Sequence, residues 1–325
     1  MRFRLFVKAL AALVVGGAAL TAPAQDWPAK PVRLILPSAA GTPIDVVSRL
    51  LANKMQDALG QSVIVENRPG ADGAVAASTV AKAAADGYTL LLGNAGIFTI
   101  NPGYSDKLIY DPFTQFAPIT RLATVVLVVD VHPSLGVNNL AEFIELTKKN
   151  PGKYNYASST GRSGIAFLSA ELLKAKTGAD ITWVGYSQDS AAMTDLLSNR
   201  IAMYVDALAT SQQYHRAGKL KILAVTGERR APQMPEIPTI MESGFAGVSG
   251  DAWIGLFAPA GTPVAVINKL NGALNTVLHS PEVSERLISL GFDPAPGTPQ
   301  QLAAIIKADA ERWRKLIQDL NLRRD

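Results

Sequence analysis

Short apolar runs alternate with segments of helical periodicity along most of this chain. The run Val32–Leu36 is typical of a buried strand, and Ile44–Leu59 repeats apolar residues at helical spacing. Between them, Thr42 can cap a helix, Pro43 suits its first position, and Asp45 can act as the capping-box partner. Because strands that alternate with helices build parallel sheets, the pattern predicts an α/β fold.

The alternation continues in two series and a closing part. The first series is completed by a strand at Ser62–Glu66, a helix at Ala74–Ala85 and a strand at Tyr88–Leu92. The second series has strands at Val125–Val131, Tyr154–Ala157, Ile181–Val184, Ile201–Val205 and Ile222–Val225, and helices at Leu140–Lys149, Ile165–Lys176, Ser190–Leu197 and Gln212–Ala217. The closing part has an apolar stretch at Trp253–Ala258 and helices at Val264–Leu278, Pro281–Leu290 and Pro299–Leu320. These last helices are expected to cover a sheet.

The first residues have the pattern of an export signal. Basic residues precede the apolar run Ala9–Leu20, and Ala22–Ala24 supplies the small-x-small site of signal peptidase. The run is about a dozen residues long, which is shorter than the ~20 needed to span a bilayer. We therefore predict that residues 1–24 are a cleaved signal peptide and that the protein is periplasmic. The absence of cysteine excludes a lipoprotein anchor and disulfides.

The charge balance argues against a nucleic-acid partner. The formal net charge is +4, and because three of the basic residues lie in the leader, the rest of the chain is nearly neutral. A nucleic-acid-binding surface needs a basic patch, which the short clusters Glu228–Arg230 and Arg323–Arg324 do not supply. No nucleic-acid partner is therefore expected.

The sequence lacks the motifs of common catalytic and cofactor sites. Gly161–Ile165 and Gly247–Asp251 both fail the Gly-x-Ser-x-Gly pattern of hydrolases at its last position. His132, His215 and His279 lack metal-ligand spacing, and no glycine-rich phosphate loop follows a predicted strand. We therefore predict no catalytic residues, no metal and no cofactor, and we interpret the protein as a non-enzyme.

Small hydroxyl residues and glycines are concentrated in three loops that follow predicted strands, Ser38–Thr42, Gly93–Gly96 and Ser158–Ser163. In parallel α/β sheets, ligands bind at the carboxyl ends of the strands, where the free N–H groups of helix starts favour an anion. Each loop alone is also compatible with ordinary turn formation. Arg162 could bind a carboxylate directly or point to solvent. Together, the three loops indicate a carboxylate-binding site.

A set of short segments, in a fixed order, is typical of one family of transport receptors. The segments are Lys30–Pro37, Val65–Gly70, Asp86–Leu90, Tyr110–Pro112, Asn150–Lys153, Thr194–Leu197, Ala217–Leu220, Pro235–Thr239 and Ala258–Pro263. From Trp27 to the last helix, the sequence resembles the Bug-type (TctC-like) solute-binding receptors of tripartite tricarboxylate transporters. The resemblance implies a two-lobed, type II-like periplasmic binding protein. Each lobe would be a mixed or mostly parallel sheet flanked by helices, with two crossover strands as the hinge.

The resemblance also implies how the chain is divided and where the ligand lies. Lobe 1 would comprise residues 25–123 and 226–325, lobe 2 residues 124–225, and the hinge would lie near residues 121–126 and 222–227. The implied ligand contacts of lobe 1 are Ser38, Ala40, Gly41, Thr42, Asp45, Asn94 and Phe98. Those of lobe 2 are Ser158, Thr160, Arg162, Ser163, Tyr186 and Asp206.

Several positions depart from the usual family pattern. Ser38 stands where phenylalanine is common, Tyr186–Gln188 replaces a common Tyr-Lys-Gly run, and Arg162 falls where Asn and Gly are usual. Phe98 replaces a residue that is polar in many members. An aromatic or hydrophobic carboxylate could therefore pack its ring on Phe98 or Trp253. Alternatively, both aromatics belong to the interlobe core.

The combined features predict a monomeric extracytoplasmic receptor. It would capture a small organic carboxylate, aromatic or dicarboxylic, and deliver it to the membrane permease subunits of a tripartite transporter. Two alternatives are an exported α/β enzyme that acts on small organic acids and a ligand sensor for a signalling partner.

Overall fold

The computed structural model describes residues 27–159, 161, 164–186, 188–250 and 252–323. The predicted signal peptide lies outside these ranges. The strands are β1 (Val32–Leu36), β2 (Val63–Asn67), β3 (Thr89–Asn94), β4 (Phe116–Val125), β5 (Leu127–Val131), β6 (Tyr154–Ser158), β7 (Ile181–Trp183), β8 (Met203–Ala207), β9 (Lys221–Val225), β10 (Ala252–Pro259) and β11 (Phe292–Pro294). The helices are α1 (Pro43–Leu59), α2 (Ala74–Ala81), α3 (Asn101–Tyr104), α4 (Leu140–Lys149), α5 (Ile165–Thr177), α6 (Asp189–Leu197), α7 (Leu208–Arg216), α8 (Val264–His279), α9 (Pro281–Ser289) and α10 (Pro299–Asp319).

The strands form two mixed sheets flanked by helices. The first is six-stranded in the order β11-β4-β10-β3-β1-β2, with β1 parallel to β2 and β3, and β10 antiparallel to β3 and β4. The second is five-stranded in the order β7-β6-β8-β5-β9, with β6 parallel to β7 and β8, and β5 antiparallel to β8 and β9. The predicted fold class, a two-lobed α/β protein with mixed sheets, is confirmed.

Two chain segments pass between the sheets. β4 ends at Val125 and β5 begins at Leu127, so only Val126 separates a strand of the first sheet from a strand of the second. The return segment joins β9 to β10 and is anchored at Thr226. The Thr226 N–H donates to Leu127 O (2.9 Å), and its hydroxyl donates to Gly250 O (2.9 Å). Hydrogen bonds therefore tie the two crossings to each other.

The closing helices return to the first sheet, as expected. Both α8 and α10 contact β4. The apolar side of α10 is buried because Leu302, Trp313 and Ile317, which recur at helical spacing, are all 0% exposed. Within the described ranges, no helix is both long enough and apolar enough to cross a bilayer.

The main difference from the sequence-based expectation is β4, of which the apolar pattern predicts only the last residue as strand. Pro118, Thr120 and Arg121 interrupt that pattern. In the structure, Thr120 Oγ1 donates to Gly297 O (3.0 Å) and Arg121 Nε donates to Ala295 O (3.4 Å). These partners are 177 and 174 positions away in the chain. The polar side chains of β4 are therefore satisfied by contacts that local sequence does not reveal.

Two helical segments also differ from the expectation. The helix predicted at Ala74–Ala85 ends at Ala81, where the chain tightens into a turn in which Ala83 N donates to Val80 O (3.0 Å). A helical turn at Gly96–Ile100, continuous with α3, was not predicted. The loop Gly93–Gly96 therefore leads directly into helical structure.

Replacing Gly93 with alanine is expected to lower the free energy of unfolding by about 1–3 kcal/mol. A Cβ at this position would lie 2.8 Å from the ring of Phe257 and would also overlap the ring of Phe98. These rings stack with centroids 3.9 Å apart, so neither can move aside without disturbing the other. Chemical denaturation would measure the loss. Gly272→Ala is the control, because Gly272 lies inside α8 and its new Cβ would have no neighbour within 4 Å apart from the adjacent residues and backbone of the helix itself. Equal stability of the two variants would contradict the prediction.

Candidate functional site

The loop between β1 and α1 has the local structure that its sequence predicts, with one exception. Thr42 caps α1 by accepting from Asp45 N (3.4 Å), and its hydroxyl donates to Ala39 O (2.9 Å). The predicted capping box is wrong, because the carboxylate of Asp45 accepts from Gly41 N (3.0 Å) and not from the N–H of Thr42. Gly41 has φ +81°, which favours glycine. The turn at Gly41 therefore directs its N–H onto Asp45.

The carboxylate of Asp45 is buried at the base of this loop and is saturated with donors. The residue is 3% exposed. Besides Gly41 N, it accepts from Arg49 Nε (3.0 Å), Arg49 Nη2 (3.0 Å) and Asn67 Nδ2 (2.9 Å). The hydrogen bonds from Arg49, followed by that from Gly41, lower the pKa of Asp45 to about 2. Asp45 is therefore ionised, its charge is balanced by Arg49, and its hydrogen bonds hold the loop in place.

Asn67, at the end of β2, links the Asp45 carboxylate to the start of the loop. Its Nδ2 donates to Ser38 O (3.0 Å) as well as to Asp45, and its Oδ1 accepts from Arg49 Nη2 (3.0 Å). Arg49 and Asn67 were not predicted as site residues. The spacing of Asp45 and Arg49, four residues apart on one helix, is the sequence signal that could have indicated the ion pair. The meeting of Asn67 with both of them depends on the pairing of β1 with β2.

The Ser38 hydroxyl has unused hydrogen-bonding capacity in the described part of the chain. Its Oγ is buried and has no hydrogen-bond partner among the described residues. A buried hydroxyl that lacks a partner is costly, and a bound molecule would supply one. Ser38, Gly41, Thr42 and Asp45 are thus brought together in one loop beside the start of α1, and Ala40 lies between them in the chain.

Asn94 and Phe98 lie on the neighbouring strand end and the helical turn that follows it. Asn94 Oδ1 accepts from Ile97 N (3.0 Å) and so holds that turn. Phe98 is 1% exposed, stacks on Phe257 and lies 6.4 Å from Trp253, measured between ring centroids. Trp253 is also 1% exposed. Both rings lie in the apolar core, as the alternative interpretation holds, and a ligand could contact them only if this packing opened.

In the second lobe, the end of β6 carries a hydroxyl that is already engaged. Ser158 is 7% exposed, and its Oγ accepts from Trp183 Nε1 (3.1 Å). The next residue, Ser159, donates its N–H to Val205 O (2.9 Å), which places this strand end beside β8. The predicted contacts Thr160, Arg162 and Ser163 lie outside the described residues. Ser158 is therefore held close to the end of β8, where Asp206 lies.

Tyr186 is fixed by an ion pair on its own lobe. Its hydroxyl donates to Asp195 Oδ2 (2.7 Å), while Arg200 Nη1 donates to Asp195 Oδ1 (3.1 Å). Burial and the neighbouring Asp195 raise the pKa of Tyr186 to about 12. The phenol is therefore neutral, and its proton is directed to Asp195.

Asp206 is a buried carboxyl next to the crossing between the lobes. It is 4% exposed, and β8 places it opposite Val128, two residues beyond Val126. Burial raises the pKa of Asp206 to about 6, and the negative charge of Asp189 at the start of α6 contributes. It can therefore accept a hydrogen bond as a carboxylate or donate one as an acid near neutral pH.

Asp130, in β5, is a second buried carboxyl of this lobe. It is 0% exposed and accepts from the Ser211 hydroxyl of α7. Burial raises its pKa well above the ordinary value, and Asp206 adds to the effect. In the part of the chain that the structure describes, no three His, Asp or Glu side chains are grouped as metal ligands. The described part of the second lobe therefore contains two buried carboxyls of raised pKa, Asp130 and Asp206, and hydroxyls at Ser158 and Tyr186 that already have protein partners.

Comparison with known proteins identifies the architecture. A model of the family described as the tripartite tricarboxylate transporter family receptor matches residues 47–322. The periplasmic binding protein BugD is 33% identical, with 92% of this chain and 100% of BugD covered and a TM-score of 0.72. Rpa4515 of R. palustris, solved with adipate, is 34% identical, with 90% and 98% covered and a TM-score of 0.75.

A further solved structure, MatC (Rpa3494) from Rhodopseudomonas palustris with bound malate, is 31% identical. The match covers 90% of this chain and 100% of MatC, with a TM-score of 0.71. The family model spans most of the chain, and each of the three structures covers nine-tenths or more of it. This chain therefore belongs to the receptor family of the tripartite tricarboxylate transporters, whose members are solute-binding proteins.

Proposed function

We propose that the chain captures a short dicarboxylate between its two lobes and presents it, chemically unchanged, to a tripartite-type permease. The observation that carries the proposal is the loop at the start of α1, which is held in place by Asp45, Arg49 and Asn67. Its one acidic side chain, Asp45, is neutralised by Arg49, and the Ser38 hydroxyl has no hydrogen-bond partner among the described residues. The N-terminus of a 17-residue helix favours an anion. One carboxylate of the solute would bind there.

The second lobe supplies the partner surface for the other end of the solute. Asp206, with its pKa of about 6, can donate a proton to a carboxylate or accept from a hydroxyl. The similar proteins solved with adipate and with malate support a dicarboxylate, since both ligands have two acid groups. The remaining predicted contacts Thr160, Arg162 and Ser163 belong to this proposed half-site.

We also propose the lobe limits that the resemblance implies, residues 25–123 with 226–325, and residues 124–225. The two sheets support this division in outline, because β1 to β4, β10 and β11 form one and β5 to β9 form the other. The sheets place the limit two residues later, since Thr124 and Val125 at the end of β4 pair with β10 and β11. The two lobes would close about two points of the chain. One is Val126, which separates β4 from β5, and the other is Thr226, the first residue of the segment that leads from β9 to β10. Export through a cleaved signal, without a lipid anchor, and delivery to permease subunits complete the proposal.

The unchanged protein is expected to bind one or more of adipate, malate, succinate and glutarate. Binding to the folded state alone raises its stability, so the thermal midpoint should increase with acid concentration. Calorimetry would give the affinity, and mass spectrometry of the recovered acid would test for turnover. The uncharged diamide of each acid is the control and should give no shift. No response to any of the four acids would refute the dicarboxylate proposal, and a converted acid would refute the non-catalytic one.

A further inference from the structure

We infer that Arg49 and Asn67 are positioning residues that set the affinity of the lobe 1 loop for an anionic solute. The inference rests on the proposed function and extends it to residues outside the predicted contacts. Both side chains act through Asp45, which lies between them and the loop. Arg49 is assigned the neutralising role and Asn67 the orienting role.

The neutralising role follows from where the Asp45 charge lies. The buried carboxylate accepts from Gly41 N, so its charge lies directly beside the loop that would contact the solute. An uncompensated carboxylate there would repel an anion. Arg49 meets both carboxylate oxygens, Nε to Oδ2 and Nη2 to Oδ1, each at 3.0 Å. This bidentate contact neutralises the charge of Asp45 and fixes the orientation of its carboxylate plane.

The orienting role follows from the three hydrogen bonds of Asn67. Its amide nitrogen donates to Asp45 Oδ1 (2.9 Å) and to Ser38 O (3.0 Å), and its amide oxygen accepts from Arg49 Nη2 (3.0 Å). A single side chain at the end of β2 therefore contacts the carbonyl of Ser38, the carboxylate of Asp45 and the guanidinium of Arg49. A loop that is already ordered loses less entropy when the solute binds.

The test compares substitutions in this network with a matched ion pair elsewhere on the same strands. Arg33 on β1 contacts Glu66 on β2 through Nε (2.6 Å) and Nη2 (2.8 Å), which is the same bidentate geometry without a link to the loop. Arg33→Met is therefore the control for losing such a pair. Affinity for adipate, malate, succinate and glutarate would be measured by calorimetry at neutral pH.

Arg49→Met is expected to weaken binding about 10–100-fold, because it leaves a buried carboxylate without its charged partner. Asn67→Ala is expected to weaken it about 3–10-fold through loss of loop order. The double substitution Arg49→Met with Asp45→Asn should recover most of the loss, since it removes the charge together with its counterion. A purely structural role of Arg49 would show no such rescue. Arg33→Met should bind as the unchanged protein does.

Arg49 is 50% exposed at its side chain, so its substitution should permit folding, and Arg49→Lys provides a milder variant that keeps the charge. Arg49→Lys is expected to lose a smaller part of the affinity than Arg49→Met. Equal affinity of Arg49→Met, Arg49→Lys and the unchanged protein would overturn the inference, as would a double variant as weak as Arg49→Met. If the unchanged protein binds none of the acids, the proposed function fails, and the inference falls with it.

Discussion

Replacing Trp253 with alanine is expected to lower the free energy of unfolding by about 3–5 kcal/mol. The side chain is 1% exposed and lies between the first sheet and α10. Its ring is 6.4 Å from the centroids of both Phe98 and Phe257, and its Nε1 donates to Asp309 Oδ2 (2.9 Å). The substitution would leave a large cavity and remove a donor from a buried carboxylate, so the two losses add.

Urea denaturation followed by circular dichroism would measure this effect. Trp253→Phe, which keeps a ring but lacks the donor to Asp309, should lose about 1–3 kcal/mol and so separate the two contributions. Phe113→Ala is the surface control, because Phe113 is 48% exposed and its loss should change stability by less than about 0.5 kcal/mol. A Trp253→Ala protein as stable as the Phe113→Ala protein would show that Trp253 is not part of the core.

Replacing Asp206 with asparagine is expected to stabilise the unliganded protein by about 2–3 kcal/mol at neutral pH. The pKa of Asp206 is about 6 in the folded state, above its ordinary value of 3.8, because burial disfavours its charge. The folded state therefore binds the proton more tightly than the unfolded state. The stability contributed by the protonated group is complete below pH ~4 and is lost as the pH rises through about 6. Asparagine has nearly the same shape and does not ionise.

Unfolding measured between pH 4 and 7 would test this sign, and the difference between Asp206→Asn and the unchanged protein should grow with pH. Asp130 lies on the same lobe, and the charge of Asp206 contributes to its raised pKa, so Asp206→Asn also lowers the pKa of Asp130, which adds to the stabilisation in the same direction. Asp45→Asn is the control, because its effect on stability should depend on pH with the opposite sign. The pKa of Asp45 is lowered to about 2, so its stabilising effect is present above pH ~4 and is lost only as the pH falls toward 2. A flat difference for Asp206→Asn would contradict the prediction.

A residue that destabilises the unliganded protein is a candidate for function, because binding sites often retain groups that are costly in the absence of the ligand. Asp206 has this property, and Ser38, whose buried hydroxyl lacks a partner among the described residues, has it as well. The two residues come from different lobes. Under the proposed function, a solute bound between the lobes would offset both costs.

The elements that the sequence predicts well are those with strong local signals. β1 and α4 have the predicted bounds, Val32–Leu36 and Leu140–Lys149, because an uninterrupted apolar run and a clear helical period define them. The sequence pattern predicted only the last residue of β4. The reason is that Thr120 and Arg121 have their hydrogen-bond partners between β11 and α10, far along the chain. The family resemblance, carried by short segments in order, is confirmed by the family model.

By itself, the sequence determined the order of most strands and helices, with the exception of β4, β11 and the helical segment 96–104, and it also determined the Thr42 start of α1 and the family. These depend on interactions between residues that are a few positions apart or on the order of short segments. Only the tertiary structure decided that Asn67 meets Asp45, that Phe98 and Trp253 share a core, and that Asp206 is buried beside the crossing. The reason is physical: burial, charge compensation and hydrogen-bond partners arise when distant segments pack, and a side chain's pKa depends on those neighbours.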